Sequence, residues 1–425
     1  MKKNRFLFVA MLSLLLAVAV ACSSQTAGTG QREKDDGPDS QEGVQLAQGV
    51  TDKEIKIGHF GPQTGFAASY DVIREGIQSY FNLVNAQGGV NGRMLKLIAY
   101  DNEYQPNKTV PVVQRLVQED KVFAIVATTC TPCHQAAESL FGEIPMIGPS
   151  PASTSAFLEP LRKNWFGLQL NYKIEGRFFV DYAVNHLNAK RIAIFYENDD
   201  YGKEGYFGAK EELKKHPDVQ LVAEVPHNVQ EVDFSAHAQR LKQANPDVII
   251  MTGIQKNAAA FRKEMVKIGA TDIPLMVTYA IGMDHKVMYD LTGDAWDGVY
   301  STLSMVSIDE TDNPKIKEFV QQYSKDFPKS VPSANAQIGW AAAQVLVEGL
   351  RRAGEELTWD HFIAAMETLD DWDGSMYYDV YYTPDTRYGQ TSMYLTRAKD
   401  GKLEKVTPLV KYDPKTDQFL YEPSK

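Results

Sequence analysis

The sequence predicts an α/β protein with two lobes, each built on a parallel sheet. Its 425 residues are enough to form two such cores. Between residues 54 and 147, apolar runs of strand length alternate with stretches of helical periodicity, as in parallel strands joined by right-handed helical crossovers. The same alternation begins again after residue 168. Two series with the same layout and different sequences indicate two facing lobes.

The composition excludes several classes of protein. An apolar share of 44% is typical of globular chains, which argues against wholesale disorder and against a protein with many membrane spans. A formal net charge of -11 argues against a nucleic-acid partner, because binding to phosphates requires a basic face. Three cysteines in 425 residues do not make a disulfide-rich scaffold.

The N-terminus has the pattern of an export signal. Lys2, Lys3 and Arg5 precede an apolar stretch that runs to Val20. We therefore predict a cleaved signal peptide over residues 1–21. A retained membrane anchor is the alternative, but the apolar stretch is short for crossing a bilayer.

The residues that follow indicate a lipid anchor and a tether. The sequence before Cys22, Ala-Val-Ala, resembles a bacterial lipobox, whose cysteine is lipidated after cleavage. Residues 22–50 are rich in Ser, Gly, Gln, Asp and Glu and have no apolar period, so we expect a lipidated Cys22 and a flexible tether. These features predict an exported protein that a lipid anchors to a membrane, in the periplasm or at the outer cell surface.

The first series of strands and helices supplies the expected ligand edge. Predicted strands cover residues 54–60, 94–100, 122–126 and 144–147, and predicted helices cover residues 73–84, residues 109–119 and a stretch that begins at Pro132. Small polar residues follow the third and fourth strands directly. Ligands of open α/β sheets bind at the carboxyl ends of the strands, and helix N-termini there favour a carboxylate or phosphate.

The second series and the tail complete the predicted architecture. Strands are expected at residues 191–196, 219–225, 247–252 and 275–278, and helices at residues 173–187, 203–215, 234–243 and 258–268. A return segment begins at Val299, and two long helices are expected at residues 314–327 and 335–352. The tail, residues 375–421, has the tyrosines and turn residues of short strands and hairpins.

The motif Cys130-Thr-Pro-Cys133-His134 permits several chemistries. It matches the pattern for covalent haem attachment in exported proteins, and it also matches a redox dithiol. A local disulfide between Cys130 and Cys133 is the interpretation we favour, because the predicted compartment is oxidising. Free thiols, or a metal held together with His134, are further alternatives.

Four short stretches, in their order and spacing, resemble a known family. They are TDKEIKIG at residues 51–58, NAQGGVNGR at residues 85–93, NDDYG at residues 198–202 and VDFS at residues 232–235. From about residue 51 to at least residue 385, the chain resembles the leucine/isoleucine/valine-binding type of periplasmic solute-binding proteins, which serve ABC importers. The lipobox indicates a lipoprotein form.

The resemblance implies a fold of two Rossmann-like lobes with parallel sheets, joined by a three-segment hinge. The crossovers are expected near residues 168–172, 300–305 and 375–379. Lobe 1 then comprises residues 51–168 and 302–374, and lobe 2 comprises residues 172–299 and 379–425. The ligand is expected in the cleft, where it stabilises closure by contacting both lobes.

The resemblance also implies the positions that contact the ligand. In lobe 1, hydroxyl and N–H groups for a ligand carboxylate are expected on the loops after strands one, three and four, at Thr64, Tyr70, Thr129, Thr131, Ala152 and Ser153. In lobe 2, Tyr201 is expected to pack on the ligand, and Gln255 and Tyr279 stand at two further strand ends. The alternative for the lobe 1 residues is helix capping, and for Tyr201 it is packing in the core.

One position departs from the family pattern. Where amino-acid binders of the family place an acid that pairs with the ligand ammonium, this chain has Tyr279. Asp199 or Asp200 is a candidate to replace that acid. The resemblance therefore implies that the ligand is a small hydrophobic or aromatic carboxylate, or a branched-chain-type amino acid.

These inferences predict an extracytoplasmic solute-binding lipoprotein of an ABC importer. Its expected partners are a small-molecule ligand and an ABC permease in the membrane, and we expect a monomer without cofactor, metal or nucleic acid. No nucleophile elbow, phosphate-binding loop or metalloprotease signature occurs, so no enzyme is predicted. The alternatives are a ligand-sensing module for a membrane sensor, and an exported haem or thiol redox protein that uses Cys130, Cys133 and His134.

Overall fold

A computed structural model describes residues 45–149, 161–370 and 372–422. In these ranges the apolar runs form two sheets, which contain five and nine strands. The predicted mixed α/β fold with parallel sheets is confirmed. The predicted signal peptide over residues 1–21, the predicted lipidation site Cys22, and the candidate contacts Ala152 and Ser153 lie outside the described residues.

The first sheet is parallel throughout and has the strand order β2-β1-β3-β4-β5. Its central strand β3 is short and every residue in it is buried, which explains why its sequence is an unbroken apolar run. Pairing of Ile57 with Ala124 sets β3 against β1. The strands are β1 (Glu54–Gly61), β2 (Met94–Asp101), β3 (Ala124–Val126), β4 (Met146–Ile147) and β5 (Trp165–Phe166).

Helices from two distant parts of the chain pack with this sheet. Among the described residues they are α1 (Val72–Ala86), α2 (Pro106–Gln114), α3 (Thr131–Phe141) and, from the later chain, α10 (Pro314–Asp326), α11 (Ala334–Ala353) and α12 (Trp359–Met366). The helices α1 and α11 cross where each presents a glycine. A Cβ atom on Gly76 would lie 1.9 Å from the Ala336 carbonyl oxygen, and one on Gly339 would lie 1.9 Å from the Ile73 carbonyl oxygen.

The second sheet has the strand order β14-β13-β11-β10-β9-β8-β6-β7, with β12 paired to β11. Its strands from β6 to β10 are parallel, and the tail adds antiparallel strands to β10. The strands are β6 (Arg191–Glu197), β7 (Gln220–His227), β8 (Val248–Thr252), β9 (Leu275–Val277), β10 (Tyr300–Leu303), β11 (Ser392–Lys399), β12 (Lys402–Lys405), β13 (Val410–Asp413) and β14 (Gln418–Tyr421).

Among the described residues, four of the six helices that accompany the parallel strands of the second sheet follow the predicted order, and the last two were not predicted. The six are α4 (Tyr172–Asn185), α5 (Asp200–Leu213), α6 (Ser235–Gln243), α7 (Gln255–Lys267), the short α8 (Tyr279–Gly282) and α9 (His285–Thr292). The helix α5 begins three residues earlier than predicted, because the Asp199 side chain caps it by accepting a hydrogen bond from the Gly202 N–H at 2.9 Å.

Two later segments lie side by side where the chain passes between the sheets. Met305 and Tyr377 form an antiparallel bridge, and the Val306 N–H donates to the Met376 carbonyl oxygen at 2.9 Å. The Tyr378 N–H donates to the Ser304 carbonyl oxygen at 3.2 Å. Residues from the expected second and third crossovers are therefore hydrogen-bonded to each other.

The structure departs from the predicted lobe boundaries in two places. The strand β10 extends to Leu303 within the second sheet, although lobe 1 was predicted to resume at residue 302. Tyr382 and Arg387, predicted for lobe 2, contact the end of the first sheet instead. The Tyr382 hydroxyl donates to the Gly167 carbonyl oxygen at 2.8 Å, and the Arg387 Nε donates to the Lys163 carbonyl oxygen at 2.9 Å.

The predicted tether over residues 22–50 is too long at its C-terminal end. The Ala47 N–H donates to the Leu357 carbonyl oxygen at 3.0 Å, and the Gln48 amide donates to the Val122 carbonyl oxygen at 2.9 Å. Val50 also forms a bridge with Ile55. Residues 47–50 thus belong to the folded body, because their backbone and side chains are hydrogen-bonded to it.

In the described ranges, no helix combines the length and the apolar character that crossing a membrane requires.

Candidate ligand-binding site

The two lobes meet at the side chain of Tyr70, on the loop after β1. Its hydroxyl donates to the carbonyl oxygen of Ala280, in α8, at 3.0 Å. The same oxygen accepts from the Gln255 N–H, at the start of α7, at 3.4 Å. Burial raises the pKa of Tyr70, so the phenol stays a neutral donor. One side chain of lobe 1 therefore contacts two strand ends of lobe 2.

Gln255 forms a second connection across the cleft. Its Oε1 accepts from the Ser69 hydroxyl at 3.2 Å and from the Asn335 amide, at the start of α11, at 3.5 Å. The Asn335 N–H donates to the Asp284 carboxylate at 3.1 Å. The Gln255 Nε2 is buried and has no hydrogen-bond partner. These contacts hold the described parts of the lobes together in a closed arrangement.

Three tyrosines form a cluster on the lobe 2 side. The ring of Tyr172 lies 4.5 Å from that of Tyr201 and 5.5 Å from that of Tyr279, centroid to centroid, and the second pair is stacked. The Tyr201 hydroxyl lies 2.9 Å from the Gly253 carbonyl oxygen and 2.7 Å from the Thr278 hydroxyl. All three side chains are almost fully buried, so the cluster forms an apolar wall with its hydroxyls already hydrogen-bonded.

A buried carboxyl group, Glu175, supports this wall from α4. Its Oε1 accepts from the Tyr279 N–H at 2.7 Å and from the Thr302 hydroxyl, while its Oε2 has no partner. Burial raises the pKa of Glu175 to about 8, against the two hydrogen bonds that favour the ionised form. Glu175 is therefore largely neutral at pH 7, and it ties Tyr279 to β10.

Two further acids stand at the carboxyl end of β6. Glu197 is the last residue of that strand and only 1% exposed, and Asp199 caps α5. Burial raises the pKa of both groups, and the charge of Asp199 raises that of Glu197 further. The negative charge of Glu197 also contributes to the raised pKa values of Tyr70 and Tyr104, which belong to lobe 1.

A cavity of about 530 Å³ opens beside these acids, at the ends of β6 and β7. Six of its seven lining residues have polar side chains, and all seven belong to lobe 2: Glu197, Asn198, Asp199, Asn228, Val229, Gln230 and Glu231. The carboxyl ends of parallel strands are the usual ligand edge of an α/β sheet. This cavity therefore lies where a polar part of a ligand is expected.

The loop after β3 is rigidly held. A disulfide joins Cys130 and Cys133 in the first turn of α3, and the Cys130 sulfur accepts from the Cys133 N–H at 3.2 Å. Both ring nitrogens of His134 are engaged, with the Thr128 hydroxyl at 2.6 Å and the Cys130 carbonyl oxygen at 2.9 Å. Burial lowers the pKa of His134 to about 3, so the ring is neutral.

The disulfide and the hydrogen bonds of His134 argue against the haem alternative. Covalent haem attachment through the motif consumes the sulfur atoms of both cysteines, and here they are bonded to each other. The imidazole of His134 packs 4.7 Å from the Phe60 ring in the core, which leaves it no free ring nitrogen for an axial bond. The observed disulfide is instead suited to stiffening the loop at the N-terminus of α3, which contacts α5 of lobe 2.

The predicted hydroxyl groups of lobe 1 have different environments. Thr64 is exposed, and its hydroxyl donates to the Asp101 carboxylate at 2.5 Å. Thr129 is half-buried, close to Gly61 at the end of β1, and Thr131 is buried in the first turn of α3. Their contact with a ligand stays a prediction.

Of the predicted contacts that the structure describes, four come together at the lobe boundary: Tyr70, Tyr201, Gln255 and Tyr279. Sequence reasoning missed Tyr172, Glu175, Glu197 and Tyr104 at the same boundary. The position of Glu197 was a usable signal, because it directly follows an apolar strand at the predicted ligand edge. Tyr172 and Glu175 carried no such signal, since they belong to a helix whose orientation only packing decides.

Comparison with known proteins assigns most of the chain to a family of binding proteins. The sequence model of a family described as periplasmic binding protein matches residues 54–402. The chain is 28% identical over 220 residues to an amino acid binding protein of Pseudomonas aeruginosa, covering 51% of this chain and 59% of that protein. That match spans less than two thirds of the relative's length.

Two further similarities cover more of both chains. The leucine-, isoleucine-, valine-, threonine- and alanine-binding protein of the same organism is 25% identical over 311 residues, 71% of this chain and 79% of the relative. A solved structure of a solute-binding protein of an ABC transporter from R. palustris, in complex with benzoate, superposes with a TM-score of 0.72 at 21% identity. It covers 83% of this chain and 95% of that one.

Proposed function

The chain belongs to the periplasmic binding protein family, and on this basis we propose that it is the extracytoplasmic solute-binding component of an ABC importer. It captures a small hydrophobic or aromatic carboxylate, or a branched-chain-type amino acid, by closure of its two lobes. The liganded, closed form is then presented to a membrane permease. The protein acts as a monomer, exported by the signal at residues 1–21 and held to the membrane by a lipid on Cys22.

The contact between Tyr70 and the two strand ends of lobe 2 carries this proposal. The hydrogen bonds to Ala280 and Gln255 form only when the lobes are closed, because Tyr70 belongs to lobe 1 and the other two residues belong to lobe 2. They join loops at the carboxyl ends of β1, β8 and β9, where ligands of α/β sheets bind. A ligand that contacts both lobes there shifts the population towards the closed form.

The two sides of the cleft have complementary roles in the proposal. Lobe 1 recognises the ligand carboxylate through Thr129, Thr131, Ala152 and Ser153, with the N-terminus of α3 favouring the negative charge. Lobe 2 selects the rest of the ligand through the tyrosine cluster and Gln255. The names of two relatives support an amino acid as ligand, and the benzoate complex supports an aromatic carboxylate within the same fold.

Ligand-dependent thermal unfolding of the body, started before Ala47, tests the proposal. We expect L-leucine, L-phenylalanine, 4-methylpentanoate or benzoate to raise the Tm by several degrees, since a ligand at a thousand times its Kd adds roughly 4 kcal/mol. Small-angle scattering should report a more compact particle with the same compound. Absence of any shift across this panel would contradict the proposed ligand class, and a folded baseline in the same scans excludes simple misfolding.

A further inference from the structure

We propose that a cavity of about 250 Å³, between the start of α4 and the tail of the chain, is a second binding site for a small planar carboxylate. It is separate from the cleft that Tyr70 spans. The proposal goes beyond the solute-binding function and does not depend on which ligand the cleft takes.

The cavity lies between segments that belong to different sheets. Part of its wall is the first turns of α4, which accompanies the second sheet. Another part is Tyr388, whose segment is fixed to the end of the first sheet. Tyr388 and Gly167 form a parallel bridge, and the Gly389 N–H donates to the Gly167 carbonyl oxygen at 3.0 Å. A molecule in the cavity therefore contacts segments attached to both sheets.

Two faces of α4 serve the two sites. Tyr172 and Glu175 face the tyrosine cluster of the cleft, whereas Lys173 and Arg177 line the cavity. At 3.6 residues per turn, the two pairs project about 150° apart around the helix axis. Of the described residues that line the cavity, none belongs to that cluster. The cavity is therefore not an extension of the tyrosine wall.

Two buried side chains that line the cavity lack partners. Asn171 is 1% exposed, and its Oδ1 caps α4 by accepting from the N–H groups of Lys173 at 3.0 Å and Ile174 at 3.2 Å. Its Nδ2 has no hydrogen-bond partner, and neither has the Oγ1 of Thr391, which is 3% exposed. Buried polar groups are nearly always satisfied, so these two atoms indicate a partner from outside the chain.

The unpaired atoms indicate the chemistry of that partner. An amide nitrogen only donates, so the group that meets Asn171 must be an acceptor, and the Thr391 hydroxyl can donate to the same group. Two of the described lining residues are charged, and both are cations, Lys173 and Arg177. A carboxylate offers one oxygen to each donor and carries the charge that the cations favour.

The two cations differ in their freedom to take part. Arg177 is buried, and it donates from Nε to Glu212 at 3.0 Å and from a terminal nitrogen to the Tyr412 hydroxyl at 2.9 Å. The Lys173 Nζ pairs with Glu211 at 2.8 Å, but both of these side chains are more than a third exposed. Such a surface pair is weak, so Lys173 is the cation that can turn towards a bound carboxylate.

The rest of the wall suits a flat apolar body. Three tyrosine rings line the cavity, together with Ile174 and Pro414; the rings are those of Tyr381, Tyr388 and Tyr412. Aromatic faces bury a planar ring well. The volume exceeds the roughly 30 Å³ of one water molecule, and it is below the range of about 300–1,000 Å³ for drug-sized ligands. These limits point to a molecule of the size of benzoate.

Equilibrium dialysis with benzoate, and with its neutral isostere benzamide, tests the proposal. We expect the cavity to bind benzoate at least about tenfold more tightly than benzamide. Asn171→Asp keeps the capping oxygen but replaces the Nδ2 donor with a second oxygen, so it should weaken benzoate binding at least about tenfold. Thr391→Val keeps the shape of the side chain and should weaken binding about fivefold.

The matched control is Asn313→Asp, the same substitution at the N-cap of α10. The Asn313 Oδ1 accepts from the Lys315 N–H at 3.0 Å, and this residue is not among those that line the cavity. It should bind benzoate as the wild type does. Thr391→Val also controls for folding, because removal of an unpaired buried hydroxyl should leave the Tm equal or higher.

A crystal grown with 4-bromobenzoate locates the probe through the anomalous signal of bromine. We expect a peak between α4 and β13 that is absent from crystals of Asn171→Asp. A peak in the cleft alone overturns the proposal. Equal benzoate binding by Asn171→Asp and Asn313→Asp also overturns it, and so does equal binding of benzoate and benzamide at this site.

The result can be read whatever the cleft binds. If the cleft also takes benzoate, one equivalent persists in both cavity variants, and only the second is lost. A wild-type protein that binds no benzoate outside the cleft overturns this inference and leaves the solute-binding function in place. Failure of the whole thermal-unfolding panel in the cleft contradicts the proposed ligand class without touching the cavity variants.

Discussion

The Tyr70 hydroxyl lies 3.0 Å from the Ala280 carbonyl oxygen, although the two residues are 210 positions apart and belong to different lobes. The same hydroxyl accepts from the Gln255 N–H. The Tyr70 hydroxyl therefore forms these two hydrogen bonds only when the lobes are closed. Its neutral, buried state suits that role because the donor proton is retained at all physiological pH values.

Removing this hydroxyl should weaken ligand binding more than it weakens the fold. For Tyr70→Phe we expect the free energy of forming the closed, liganded state to be less favourable by about 1 kcal/mol, which is roughly a fivefold increase in Kd. The Tm of the ligand-free protein should change little. Isothermal titration measures the change in Kd, and thermal unfolding of the ligand-free protein measures the Tm. The control is Tyr100→Phe, because the Tyr100 hydroxyl donates to Asp120 at 2.9 Å within lobe 1. Equal affinities for the two variants would contradict the closure role.

The buried Glu175 should make stability depend on pH. Its pKa is about 8 in the folded protein and 4.5 in its ordinary state, so the folded state binds more protons between these values. Stability therefore falls as pH rises from about 4.5 to about 8, by an amount on the order of 5 kcal/mol. Glu175→Gln removes this loss.

Urea unfolding at pH 5 and at pH 9 checks the Glu175 prediction. The Gln variant should match the wild type at pH 5, where Glu175 is neutral, and should exceed it in unfolding free energy at pH 9. The exposed Glu143→Gln variant is the control and should follow the wild type at both values. If the wild type and Glu175→Gln lost stability equally between the two pH values, the pKa assignment would be wrong.

The disulfide between Cys130 and Cys133 should stabilise the first turn of α3. Closing so short a loop is worth about 2 kcal/mol in the chain-entropy description, so Cys130→Ala with Cys133→Ala should lower the Tm by a few degrees. Both cysteines are fully buried. We therefore expect a thiol reagent to detect these two sulfurs only after unfolding in the presence of a reductant. Reaction of either sulfur in the native, unreduced protein would contradict the disulfide.

The crossing of α1 and α11 should tolerate no side chain at Gly76. A Cβ atom there would lie 1.9 Å from the Ala336 carbonyl oxygen, so the helices must separate to accept one. Gly76→Ala should cost about 1–3 kcal/mol in spite of the higher helix propensity of alanine. Gln78→Ala, on the same helix but partly exposed, is the control in chemical unfolding. A Gly76→Ala protein as stable as this control would disprove the close contact.

The prediction from sequence was best where local pattern and burial act together. The runs at residues 122–126 and 191–196 are apolar because those strands are covered on both faces, and the structure places strands at both. The prediction was poorer at the ends of strands and helices and for short helices. The helix α12 was not predicted, because its eight residues follow a polar stretch and are held by tertiary contacts with α11 and, through Trp359 and Phe362, with Phe123.

The sequence by itself determined the α/β class, the order of the strands and helices, and the resemblance to solute-binding proteins, because these depend on local periodicity and on short motifs. Tertiary structure alone decided which strand ends meet. Tyr70, Gln255 and Ala280 are far apart in the chain, and their hydrogen bonds form only when the two lobes are packed against each other. The physical reason is that hydrogen-bond satisfaction and burial are properties of the packed protein.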